Sequence, residues 1–214
     1  ILFTSLFAGL SSSTALSLHF ARQSAKNPDF SPQFAAGILI ACGTMFPRIL
    51  VYCLVINKAL LPSLIWPVAM MTALLYVPAL IIWRRNARQL QVSQPTMNQN
   101  PLDLSSALVF GFLLTAILLL GEFLKNAFGD VGIYALAATS GVADVDAITL
   151  SLTRMSNDGL GMDAAVLGIV IAAAVNNLVK SGIAWSIGNR QTGLLVAGPM
   201  VLSLAAGLLV AWLQ

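Results

Sequence analysis

The chain has 214 residues, 58% of them hydrophobic and 9% charged, with a mean hydropathy of +0.87. Soluble domains carry about 25% charge, so too little polar surface exists here to coat a water-facing globule, and a cytosolic enzyme is excluded. Eleven Lys and Arg against eight Asp and Glu give a formal charge of +3, but the bases flank apolar runs, which fits anionic headgroups and sets nucleic acid aside as a partner.

Apolar runs bounded by polar residues, Pro or Gly predict seven membrane spans, at 1–22, 32–56, 59–83, 104–125, 131–154, 162–187 and 191–213. Each is close to the about 20 residues that cross hydrocarbon as a helix. The first carries GLSSSTA, with Ser12 and Thr14, and a lone His19 that has no second His or Cys nearby to make a transition-metal site. The second holds Cys42 and Cys53, about 16 Å apart on a straight helix and therefore not a disulfide. It also holds Arg48 directly after Pro47, a residue that removes a backbone donor and kinks helices. Pro67 in the third span is matched by Pro199 in the seventh. Residues 84–103, RRNARQLQVSQPTMNQNPLD, are too polar to fold alone and read as a solvated linker. Glu122 and Lys125 mark the watery end of the fourth span, the fifth carries Asp144 and Asp146, and the sixth carries Asn176, Asn177 and Lys180. The chain starts at Ile1 without the basic start and cleavage site of a signal peptide.

Counting bases on alternate sides of seven crossings places Arg22, Lys26, Arg84, Arg85, Arg88 and Arg154 on one side and Lys58, Lys125 and Arg190 on the other. The richer side is the expected cytoplasm. Sliding the chain against itself by 132 residues lays GLSSSTALSLHFARQS over GVADVDAITLSLTRMS. The same offset pairs Arg48 with Lys180, Asn57 with Asn189, Lys58 with Arg190 and Pro67 with Pro199. Residues 1–82 thus duplicate 133–214. The expected fold is all-α, a polytopic transmembrane bundle of about seven spans in two tandem four-helix units, the first helix of the first unit missing. Its parts are 1–83, a first repeat of three helices, the linker 84–103, and 104–214, a second repeat of four. Four spans separate matching helices, so the repeats are expected to be parallel, related by an axis along the membrane normal; a re-entrant span would invert them.

A charge at the bilayer centre costs about 2.5–3.5 kcal/mol on insertion scales, so each needs a reason. Asp144 and Asp146 point about 200° apart on an unbroken helix and face one ligand only if the backbone opens, as transporters do to hold cations. The structural alternative has one Asp paired with a neighbouring helix while the other caps a kink. Their repeat partners are Ser12 and Thr14. Asn176 and Asn177 offer amide ligands or tie helices together. Lys180, four residues after Asn176, would offset an Asp, and Arg48 is its counterpart. No P-loop, paired-His motif or GxSxG elbow occurs.

The strings SGVADVDAITLSL, AAAVNNLVKSGIAW and GLSSSTALSL resemble the carboxy-terminal membrane domain of unknown function that accompanies MgtC/SapB-type domains in bacterial and archaeal proteins. The resemblance implies a multi-pass inner-membrane protein associated with magnesium or other cation homeostasis, and an MgtC-like domain upstream in the full-length protein. GLSSSTA is also similar to a short LSSTA string of cation/proton antiporters. The expected function is a transporter or channel for a cation or small solute, not an enzyme. Asp144 and Asp146 would be its ion site, Asn176, Asn177, Ser12 and Thr14 neutral ligands, and Lys180 and Arg48 charge compensation. No cofactor is expected, only a transported cation such as Mg2+, Na+ or H+. Partners are the lipid bilayer and, through Gly/Ala/Ser-rich faces, a second copy in a homodimer. A non-transporting membrane scaffold is the rival, and an enzyme acting on lipid headgroups ranks last because the carboxylates lie too deep for it.

Overall fold

The computed structural model describes residues 2–86 and 104–213, so 87–103, most of the expected linker, lie outside the described residues. Every described segment of regular structure is helical: α1 (Leu2–Lys26), α2 (Ser31–Gly43), α3 (Met45–Ile56), α4 (Leu61–Asn86), α5 (Leu104–Phe128), α6 (Asp130–Ala143), α7 (Asp146–Met155), α8 (Met162–Ile187) and α9 (Arg190–Trp212). Four stretches, Pro28–Ile56, Lys58–Asn86, Met162–Ile187 and Arg190–Trp212, are long and apolar enough to cross a membrane. Val55, Trp66, Leu202 and Leu209 on them stand exposed, an apolar exterior that water does not favour and hydrocarbon does.

The chain divides into two compact units. One comprises Ile1–Pro47, Ala69–Met97 and Asn177–Gly207, the other Arg48–Val68, Asn98–Asn176 and Leu208–Gln214. In the second unit the segment 131–154, expected to cross once, instead folds back. Gly168 of α8 has Ile133 and Ala137 of α6 beside it as well as Leu152 of α7. Residues 137 and 152 would be about 22 Å apart on a straight helix, so α6 and α7 form a hairpin. The α5 contacts agree. Gly132 lies against the Leu124 backbone and Met155 against Gly121, while Lys125 Nζ donates to the Gly159 carbonyl at 2.6 Å. Both ends of the hairpin therefore sit at the same end of α5.

The two glycines with positive φ among the described residues, Gly129 (62°) and Gly159 (100°), flank this hairpin. Glycine reaches that backbone region without Cβ strain. Gly129 ends α5 and starts α6 in one step, and Gly159 lies in the turn that leaves α7.

In the first unit α1 does the same thing. Ser5 Oγ and the Phe20 ring converge on the place where Gly37 of α2 lacks a Cβ, although fifteen residues of straight helix would again separate them by about 22 Å. The helix is bent back between them. Ser5 and Ala137, and likewise Phe20 and Leu152, are pairs 132 positions apart.

The α2–α3 break at Thr44 has a local cause. Pro47 has no N–H for the Gly43 carbonyl, and its ring crowds that carbonyl. Gly43 is also covered by the Tyr76 ring of α4. Thr44 bridges the gap by donating its backbone N–H to Ile40 and its hydroxyl to the Ala41 carbonyl at 2.7 Å. The matching stretch of α8 contains no proline and is unbroken.

Candidate functional site

The hairpin tip lies at Asp144–Val145. Asp144 has extended backbone angles (φ −155°, ψ 141°) and ends α6. Its carboxylate then turns to the next helix, accepting the N–H of Asp146 at 3.2 Å and of Ala147 at 3.4 Å. Free N–H groups at a helix start favour such an acceptor. The break thus sits where Asp144 supplies the cap, three residues beyond Gly141.

Asp146 opens the first turn of α7, where a negative charge complements the helix dipole. It forms an ion pair with Arg48, which stands in the first turn of α3. Their side chains keep 18% and 24% of their accessible surface, so the pair is partly covered rather than sealed. At the open backbone one carboxylate thus accepts from the start of α7 and the other pairs with a neighbouring helix.

Breaking a helix leaves its last carbonyls without intrahelical donors. Asn176 answers one of them, giving its amide N–H to the Gly141 carbonyl at 2.8 Å. That reach needs α6 and α8 to touch. Gly141 allows it, because a Cβ there would stand 2.5 Å from the Ala172 carbonyl oxygen. Asp144, Asp146, Asn176 and Arg48 are therefore gathered around one tip in the second unit.

The other candidates lie in the first unit. Lys180 donates to Ser13 Oγ at 2.7 Å and has the Met45 sulfur at 4.0 Å. Arg48 thus pairs with Asp146, and Lys180 meets α1 at a serine. Asn177 is fully buried, and neither amide atom has a hydrogen-bond partner among the described residues. Thr14 is exposed, and the Ser12 side chain lies outside the described residues. No group of three or more His, Cys, Asp or Glu that could hold a metal ion occurs among the described residues. Cys42 and Cys53 are free thiols.

Sequence reasoning gave no role to a second set of contacts. Asn57 donates to Ser156 Oγ at 2.8 Å, and Asn189 donates to the Ser24 carbonyl at 3.2 Å. Each asparagine also accepts a backbone N–H from the helical turn that follows it, Ala59 at 3.0 Å and Thr192 at 2.8 Å. An Asn just ahead of a helix start was the available signal.

Residues 1–188 match the family described as Domain of unknown function (DUF4010). The match links the chain to no MgtC/SapB-type domain, so that part of the resemblance is set aside. An uncharacterized protein from Aquifex aeolicus (strain VF5) is 34% identical over 192 residues, covering 89% of this chain and 84% of that protein. No solved structure matches. Having matched over most of its length, the chain belongs to the DUF4010 family.

Proposed function

We propose that this is a multi-pass protein of the cytoplasmic membrane that moves a cation or small solute, with the α6–α7 tip as its gate. The observation that carries this reading is the Arg48–Asp146 pair, placed on the first turns of two helices that each begin at a break. Desolvation of an ion pair commonly cancels what the pair gains, so packing alone is served as well by apolar residues. Ionisable groups at membrane depth more often serve a pathway. In the resting protein Arg48 offsets the charge of Asp146. An arriving cation displaces it, and Asp144 with the freed carbonyls at the end of α6 completes the shell. Mg2+, Na+ and H+ are the cargoes to test.

In this reading α2–α3, α4, α5, α8 and α9 cross the membrane, while α1 and α6–α7 each enter and return without crossing, from opposite sides. Three crossings separate the two hairpins. An odd number inverts the repeats and places their axis in the membrane plane. The parallel relation required 131–154 to cross. Contacts duplicated at the offset of 132 support the repeat itself: Asn57 to Ser156 matches Asn189 to Ser24, and Arg48 at one hairpin matches Lys180 at the other. Reassigning the bases exchanges Arg154 for Arg190, so six still face three, and the side of Arg22 remains the cytoplasm.

The scaffold reading is favoured by one specific observation: Asp144 and Asn176 both satisfy backbone groups that the break leaves open. Flux of Mg2+, Na+, K+ and protons into liposomes separates the two. Transport predicts flux through the parent protein that Asp146→Asn abolishes while the variant stays folded. Flux no greater than in empty liposomes would leave the scaffold.

A further inference from the structure

A cleft of about 480 Å³ opens between α5 and α7, lined by Glu122, Lys125, Asn126, Arg154 and Asp158 over a floor of Leu118, Leu119 and Met155. A second, of about 450 Å³, adjoins it through Leu118, Arg154 and Asp158 and extends along Leu114 and Leu150. All these residues belong to the second compact unit, and the charged ones lie toward the end of α5 where the hairpin begins and finishes. Two positive and two negative side chains share the cleft, yet no ion pair joins them among the described residues. Lys125 instead holds the Gly159 carbonyl. Next to the cleft, Leu119, Leu120 and Phe123 leave the α5 surface apolar and exposed.

Positive charge at Arg154, negative charge at Glu122 and Asp158 and a floor of leucines suit a molecule that carries an anion, a cation and an apolar chain. We infer that this cleft seats a zwitterionic phospholipid with a primary ammonium head. Its phosphate meets Arg154, its ammonium meets Glu122 and Asp158, and its acyl chain follows Leu118 and Leu114. A guanidinium beside an apolar groove pairs with a phosphate through charge-assisted hydrogen bonds. The opposite charges beside them select an amine-bearing head over an anionic one. The site is independent of the transport reading, because it lies at the mouth of the hairpin and uses none of the tip residues.

The test is native mass spectrometry of the protein in mild detergent, titrated with phosphatidylethanolamine and phosphatidylglycerol of equal chain length. The parent retains the ethanolamine lipid about fivefold better, the worth of one charge at a membrane surface. Arg154→Gln lowers retention of both lipids. Glu122→Gln with Asp158→Asn lowers only the ethanolamine lipid, to the level of the glycerol one. All three side chains sit in the cleft rather than in the core, and thermal unfolding confirms that the variants remain folded. Equal retention of the two lipids, retention unaffected by Arg154→Gln, release of bound lipid by inorganic phosphate alone, or a lipid-free dimer closing over this face would each overturn the assignment.

Discussion

Neutralising one end of the Arg48–Asp146 pair should cost different amounts depending on which end is removed. Unit charges about 4 Å apart interact by about 4 kcal/mol at the effective dielectric near a protein surface. Breaking a fully buried pair costs about 3–5 kcal/mol and a fully exposed one under about 1 kcal/mol. With 24% and 18% of their side-chain surface retained, Arg48 and Asp146 fall between, and we expect a coupling of about 2 kcal/mol. The helix dipoles then split the single variants. In Arg48→Gln the remaining Asp146 still sits at the start of α7, which favours a negative charge by about 0.3–1 kcal/mol. In Asp146→Asn the remaining Arg48 sits at the start of α3, which disfavours a positive one. Asp146→Asn should therefore be the more destabilising of the two, and the double variant should recover most of the loss. Equilibrium unfolding of the four proteins in one detergent, at low salt, measures the cycle. Additive single losses, or Arg48→Gln as the worse variant, would refute both the pairing and the placement of these charges at helix starts.

Gly141→Ala should destabilise by about 1–3 kcal/mol, because its Cβ meets the Ala172 backbone and pushes Asn176 away from the Gly141 carbonyl. Gly161→Ala, with nothing within 4 Å of its Cβ, is the control and should be near neutral in the same thermal unfolding assay. Topology can be read with cysteines introduced at Ala127, Gly161, Gln191 and Lys26, since Cys42 and Cys53 are buried and should give little background. An impermeant maleimide on sealed vesicles should label 127 and 161 from one side and 191 and 26 from the other. Labelling of 127 and 161 from opposite sides would restore a single crossing over 131–154.

Helical windows are legible because length and apolarity are properties of a stretch of sequence, and the nine described α-helices stand on the seven windows, two of which hold two helices each. The direction of a helix after a break is not such a property. Residues 131–154 are long enough to cross once or to enter and return as arms of 14 and 10 residues. Hydropathy is nearly the same for both. What separates them is local: an Asp that can stop one helix and cap the next, followed by another Asp in the new first turn. The sequence pattern suits those two residues equally to ligating an ion and to building the turn. The backbone turn presents the start of one helix and the end of another at the tip, and the proposed gate rests on that arrangement. One fold-back also changes the parity of every later crossing. On the topology proposed above it moves Arg154 across the membrane, brings Arg190 back, and turns a parallel duplication into an inverted one, while leaving the count of bases on each side unchanged. The charge count is blind to the difference, because Arg154 and Arg190 carry the same charge and simply trade places. The hydrogen bonds from Asn57 to Ser156 and from Asn189 to Ser24 support the proposed fold-back, since each joins two chain ends that seven crossings would hold on opposite sides of the bilayer.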